Sequence, residues 1–194
     1  MKVCIVKYNA GNTASVTNAL NRLGVETIVS DDAEVLQSSD KVIFPGVGEA
    51  STAMKYLRER SLDTVIKSLR QPVLGICLGM HLMCESSEEN ETKCLGILPN
   101  RVRKFEMVDL KNPHIGWNTI INLRSPLFYG IDSGAYVYFV HGYFVDVGAG
   151  TTASCVYGER FSAATEHDNF YAVQFHPEKS GSLGQQILKN FLSL

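Results

Sequence analysis

The segment Val73-Leu74-Gly75-Ile76-Cys77-Leu78-Gly79-Met80 constrains the fold more than any other. A short apolar run meets a cysteine between two glycines and then passes into helical sequence. An apolar run without polar alternation reads as a strand buried on both faces, as in a parallel sheet covered by helices. The pattern G-x-C-x-G predicts a sharp strand-to-helix turn, because the flanking glycines permit tight backbone geometry. Such a turn holds the sulfur above the C-terminal edge of the sheet. It also aims the start of the next helix at the sulfur, which favours thiolate. The competing reading is a buried structural cysteine between packing glycines.

The sequence before this segment supplies the sheet. Val3 to Val6 is an apolar run, and Asn9-Ala10-Gly11-Asn12 reads as turn and helix cap. Val16, Leu20 and Leu23 then recur at helical spacing up to Gly24. Val25 to Val29 predicts a second strand, Asp31-Asp32 the cap of a short helix, and Val42 to Phe44 a third strand closed by Pro45-Gly46. Helices are expected from about Glu49 to Arg58 and from about Leu62 to Leu69. Beyond about Leu95 the pattern changes. Strand-like segments near 101–107, 118–123, 135–140, 151–157, 161–165 and 170–175 predict hairpins or an added sheet, and Leu183 to Leu192 a last helix. The expectation is one α/β domain over residues 1–194. Its central sheet is mostly parallel and flanked by helices, with antiparallel strands added in the second half.

Composition narrows the function classes. The net charge is −2, with no basic stripe for nucleic acid. No apolar run approaches the roughly 18 residues that a membrane span needs. The start, Met1 to Lys7, meets charge too soon for a signal peptide, so the expected location is cytoplasmic. The five cysteines match no zinc spacing, so neither metal nor cofactor is expected. Cys4 and Cys155 read as small core residues, and Cys84 and Cys94 carry no functional reading.

Two further segments bear on Cys77. Tyr171-Ala172-Val173-Gln174-Phe175-His176-Pro177-Glu178-Lys179-Ser180 begins as a strand and is stopped by Pro177. At strand-like spacing His176 and Glu178 share a side. A carboxylate beside an imidazole fixes its tautomer and stabilises the imidazolium that forms when it takes a thiol proton. Phe44-Pro45-Gly46-Val47-Gly48 is a glycine-rich turn after a buried strand. It lacks the lysine of a P-loop, and an oxyanion role suits it better. The N–H groups of Leu78 and Val47 are the expected donors, and losing one typically costs about 3–4 kcal/mol of transition-state stabilisation.

These three segments, in this order and across the whole chain, resemble the class I (triad) glutamine amidotransferases. Ser86-Ser87-Glu88-Glu89, Pro113-His114-Ile115-Gly116-Trp117-Asn118 and Tyr138-Phe139-Val140-His141-Gly142-Tyr143 narrow the resemblance to the glutaminase subunits of imidazole glycerol phosphate synthase. Tyr8 with Ala10-Gly11-Asn12 agrees. The resemblance implies a flavodoxin-like fold and hydrolysis of glutamine to glutamate and ammonia through a γ-glutamyl thioester on Cys77. His176 would move protons and Glu178 orient it, with Gly46, Gly48, His81, Glu89, Gly142 and Tyr143 around the substrate. It further implies that ammonia passes to a (β/α)8 cyclase subunit. Asn12, Trp117 and Lys179 would lie at that interface, with Tyr136 and Tyr138 near it. The glycines of the 46–48 turn suit a flip that completes the oxyanion hole once the partner binds.

Three departures stand out. His81 occupies a position where the family usually has a glutamine that holds the substrate. An imidazole cannot copy a carboxamide's paired donor and acceptor, and a charged His81 would perturb the thiolate. Weaker or pH-sensitive glutamine binding is therefore expected, the alternative being that His81 faces partner or core. Lys7 and Asn9 replace the more usual aspartate and glycine, and Gly142 replaces a small hydroxyl residue. His114 and His167 read as loop histidines, and His141 as a pocket or interface wall. Competing readings are a paralogous glutaminase serving another synthase, such as one amidinating a surface sugar, and a binding subunit impaired at His81.

Overall fold

The computed structural model describes residues 1–9, 11–106 and 110–194. Ala10 of the expected first turn and Met107 of the expected strand near 101–107 lie outside the described residues. The first half alternates as the apolar pattern requires. β1 (Val3–Val6) leads to α1 (Thr13–Arg22), β2 (Thr27–Ser30), α2 (Ala33–Gln37) and β3 (Lys41–Phe44). Then follow α3 (Ala50–Glu59), α4 (Leu62–Ser68), β4 (Val73–Ile76) and α5 (Leu78–Met83). Asp32 caps α2 by accepting a hydrogen bond from the Val35 N–H at 3.0 Å. β2 starts two residues later than the apolar run suggested, and both Ile28 and Val29 are exposed because it is the sheet's edge strand.

The second half contributes β5 (Ser86–Ser87), β6 (Thr92–Lys93), β7 (Arg101–Lys104), β8 (His114–Ile120), β9 (Ala135–His141) and β10 (Tyr143–Val145). The chain closes with β11 (Thr151–Tyr157), β12 (Glu159–His167), β13 (Phe170–Val173) and α6 (Gly181–Leu192). The main sheet has seven strands in the order β11-β12-β13-β4-β3-β1-β2. From β13 to β2 the neighbours run parallel, and β11 and β12 add an antiparallel edge. β10, β7, β5 and β6 form a small second sheet, while β8 and β9 make a separate two-stranded ribbon.

The side-chain alternation of β1 sorts two cores onto the faces of the main sheet. Val3 and Ile5 join Ile43, Leu74 and Ile76 under α1 and α6, with Phe139, Phe161 and Phe175. Cys4 and Val6 join Val42, Phe44 and Val73 under α3, α4 and α5. Each fully buried large side chain contributes roughly 1.5–3 kcal/mol, so the sheet is a rigid platform. The parallel strands β3, β4 and β13 end together, and the loops leaving their C-terminal ends carry the candidate residues. That edge is where ligands bind in open α/β sheets.

Candidate active site

Cys77 sits in the one-residue gap between β4 and α5, with φ 52° and ψ −106°. A non-glycine residue there costs of order 1–3 kcal/mol, and the surroundings must hold it. They do so through β13, whose Val173 carbonyl accepts from the Cys77 N–H at 2.8 Å. The flanking glycines serve close packing, and the positive φ falls on the cysteine itself. A Cβ on Gly79 would overlap the Phe44 carbonyl, and one on Gly75 would stand 3.1 Å from backbone atoms of Gly79 and Met80. The helix can thus lean directly on β3 and β4.

His176 follows β13, the strand beside β4, so sheet pairing brings it to the cysteine. Its Nδ1 donates to Glu178 Oε1 at 2.7 Å, and both side chains are buried. Burial opposes a charged imidazole, yet the negative charge of Cys77 and the hydrogen-bonded Glu178 outweigh it and raise the His176 pKa to about 10. The ring therefore favours the imidazolium form. His176 Nε2 and Glu178 Oε2 are buried without a hydrogen-bond partner. Glu178 has a second donor, because Asn12 Nδ2 reaches its Oε1 at 2.7 Å. Asn12 does occupy the N-cap position of α1, but its side chain makes no cap hydrogen bond and is spent on Glu178 instead. The expected helix cap is corrected on this point.

A cavity of about 250 Å³ opens beside the sulfur, lined in part by Val47, Gly48, Cys77, Leu78, His81 and Glu89. Gly142 and Tyr143 of the expected substrate set also line it, as do Pro113, Val140 and His141. Gly46 does not. It lies behind Leu78, where a Cβ would meet Leu78 Cβ at 2.8 Å and overlap the Tyr8 hydroxyl. Glu89 is half committed, since its Oε2 accepts from the Ala50 N–H at 2.7 Å at the start of α3. Burial raises its pKa. The Leu78 N–H is also occupied, donating to the Gly46 carbonyl at 3.3 Å.

His81 is buried at the back of this cavity, with its Nε2 2.8 Å from Gln174 Oε1. Burial pulls its pKa down to about 4. The ring is neutral at ordinary pH, which corrects the expectation that its charge would perturb the thiolate. His114 corrects a second expectation. It is a buried strand residue of β8, stacked on Tyr157 at 3.9 Å between centroids and within 3.0 Å of His141 Nε2 through Nδ1. His141 in turn donates from Nδ1 to the Tyr143 carbonyl at 2.7 Å, which fixes that wall of the cavity. His167 is exposed, but at the end of β12 rather than in a loop.

The residues expected at a partner interface gather on one side. Trp117 and Tyr136 are 54% and 61% exposed. Ile115, 60% exposed on the same face of β8, extends the apolar set, and the sequence reading missed it. Tyr138 packs edge-on against Trp117 at 6.0 Å, with Lys179 over its ring. The backbone of Tyr138 is also tied to the site, because its carbonyl accepts from the His176 N–H at 2.9 Å.

Comparison with known proteins adds an independent line. The family model for glutamine amidotransferase class-I matches residues 5–194. A Bacteroides fragilis protein named imidazole glycerol phosphate synthase subunit HisH is 58% identical over 196 residues, covering 100% of both chains. Proteins of the same name from Pectobacterium atrosepticum, covering 100% of both chains, and from Vibrio vulnificus, covering 100% of this chain and 98% of that one, are 49% and 44% identical. Among solved structures, a glutamine amidotransferase matches with TM-score 0.75 at 20% identity, covering 98% of this chain and 97% of that one. PurLQS from Thermotoga maritima matches with TM-score 0.74 at 17% identity, covering 99% and 97%. At those identities the likeness to the solved structures is one of fold.

Proposed function

We propose, from the premise that the chain belongs to the glutamine amidotransferase class-I family, that Cys77, His176 and Glu178 form its catalytic triad. The chain is a glutamine-hydrolysing enzyme, the glutaminase subunit of an imidazole glycerol phosphate synthase in histidine biosynthesis. The observation that carries the assignment of residues is their convergence. A strained cysteine ends β4, a buried imidazole–carboxylate pair ends the neighbouring β13, and the cavity of about 250 Å³ beside the sulfur suits a single amino acid.

The Cys77 thiolate attacks the γ-carboxamide carbon of glutamine, and charge develops on the carbonyl oxygen. His176, as imidazolium, protonates the departing nitrogen, and ammonia leaves behind a γ-glutamyl thioester. His176 then takes a proton from water, which cleaves the thioester and releases glutamate. Glu178 holds the ring through Nδ1, and Asn12 steadies Glu178.

The oxyanion donors in this reading are the N–H groups of Leu78 and Val47. The Gly46 carbonyl and the Val47 N–H belong to one peptide plane. A single rotation of that plane removes the carbonyl from Leu78 and delivers the Val47 N–H, with Gly46 on its N-terminal side taking up the change in ψ. The partner we propose is a (β/α)8 cyclase docked on Ile115, Trp117, Tyr136, Tyr138 and Lys179, with the hydrogen bond from His176 to Tyr138 linking that surface to the triad. We assign the reaction to the cytoplasm, because a phosphorylated ribotide acceptor does not cross membranes unaided. Among the described residues no helix is long and apolar enough to span one.

The test is glutamate release from glutamine by the chain, with and without a cyclase subunit and its ribotide ligand, against Cys77→Ala. Cys77-dependent release that rises on adding the partner supports the reading. Release at the full rate by the chain alone would remove the peptide rotation from it. No release under any condition would remove the catalytic assignment.

A further inference from the structure

Gln174 lies outside the triad and is fully buried, yet both polar ends of its carboxamide have partners. Its Nε2 faces Cys77 Sγ at 3.8 Å, and its Oε1 meets His81 Nε2 at 2.8 Å. The three groups form a chain from the back of the cavity to the nucleophile. A carboxamide oxygen has no proton to give, so the His81 ring carries its proton on Nε2. The opposite arrangement would satisfy His81 equally well, with Gln174 NH2 donating to a bare Nε2. It would also set the carboxamide oxygen against the sulfur, where it repels a thiolate.

We propose that Gln174 is a further catalytic residue, its side-chain N–H stabilising the Cys77 thiolate, and that His81 is the positioning residue that keeps this N–H turned toward the sulfur. The proposal rests on Cys77 being the thiolate nucleophile. It gives His81 a task that differs from holding substrate. In its Nε2–H tautomer the neutral imidazole donates to Gln174 Oε1, and of the two arrangements this is the one that leaves an N–H for the sulfur. The other titratable groups around the sulfur are accounted for. His176 supplies the imidazolium, burial keeps His141 neutral, and burial with the Cys77 charge raises Tyr8. Glu89 and Tyr143 stand elsewhere on the cavity wall.

The experiment is the pH dependence of Cys77 alkylation by iodoacetamide on the full chain, with Cys77→Ala reporting the background. That background is low, because burial raises the thiol pKa of Cys4, Cys84, Cys94 and Cys155. Gln174→Met fills the space without a donor and is expected to raise the midpoint by about one pH unit. His81→Leu frees the carboxamide and raises it by roughly half as much, and His81→Gln, which can still donate to Gln174, restores it. An unchanged midpoint in a folded Gln174→Met chain overturns the proposal. In the unmutated chain, the Gln174 side-chain amide resonances must shift when Cys77 is alkylated, and static resonances overturn it even if both variants misfold. Alkylation needs no turnover. Unchanged midpoints with normal glutamate release would therefore refute this hydrogen bond alone, while absent glutamate release would refute the glutaminase assignment alone.

Discussion

The two segments joined by the hydrogen bond from Leu78 to Gly46 beside the cavity are built in opposite ways. The elbow from Ile76 to Leu78 is buried, closed by the Val173 carbonyl, and so tightly fitted that Gly79 touches the Phe44 backbone. The turn from Gly46 to Gly48 ends in two exposed residues, one of them glycine, and the Gly46 carbonyl accepts from the Leu78 N–H, an oxyanion donor in the proposed mechanism. In the proposed mechanism the nucleophile and the Leu78 donor sit on the fixed elbow, while the second donor, the Val47 N–H, sits on an exposed turn. A site divided this way can hold its reactive thiolate ready and still keep turnover low until the turn rearranges.

The contrast can be broken experimentally. Cys77→Ala should abolish glutamate release, a loss of roughly 10^5-fold or more in a coupled glutamate assay. Val47→Pro removes one oxyanion donor and should lower kcat about 10²–10³-fold with the partner present, leaving the Cys77 alkylation rate unchanged. Equal loss of both would mean that the turn also builds the nucleophile. Gly79→Ala should act on the rigid side. Its Cβ meets the Phe44 carbonyl, so unfolding by denaturant should show a loss of about 3 kcal/mol.

A further expected effect is a pH dependence of stability. His81 and His114 have pKa values lowered to about 4 by burial, while the unfolded chain protonates them near 6.5. Their contribution is present above pH 6.5 and is lost as the pH falls toward 4. His176 runs the other way, stabilising below its unfolded value and losing that contribution as the pH rises through about 10. Calorimetry should show Tm falling on the order of 10 °C between pH 7 and pH 5, with His81→Gln flattening that limb.

The elbow was legible because everything that makes it is local. An apolar run, two glycines and a cysteine lie within eight residues, and Val73–Ile76 is the strand found. The hydrogen-bonded pair His176–Glu178 was legible for the same reason, with imidazole and carboxylate two residues apart. What escaped depended on residues distant in sequence. His114 follows a proline and looks like loop, and only its pairing with His141, 27 residues later, buries it. Asn12 looks like a helix cap, and only the fold brings it to Glu178. Gln174 stood inside a motif already singled out, but no spacing rule links it to His81, 93 residues earlier. The short strands β5, β6 and β10 carry too few residues for a period to show.

The placement of β13 between β12 and β4 has a consequence for the order in which the protein is made. Cys77 is translated well before His176, so the two meet only once β13 has been made and has inserted beside β4. A nascent or prematurely terminated chain ending anywhere before His176 therefore carries the cysteine elbow without an imidazole to activate it. A chain ending before β13 also lacks the Val173 carbonyl that accepts from the Cys77 N–H. In the proposed mechanism, glutamine hydrolysis therefore waits until synthesis has passed Glu178 and β13 has closed beside β4.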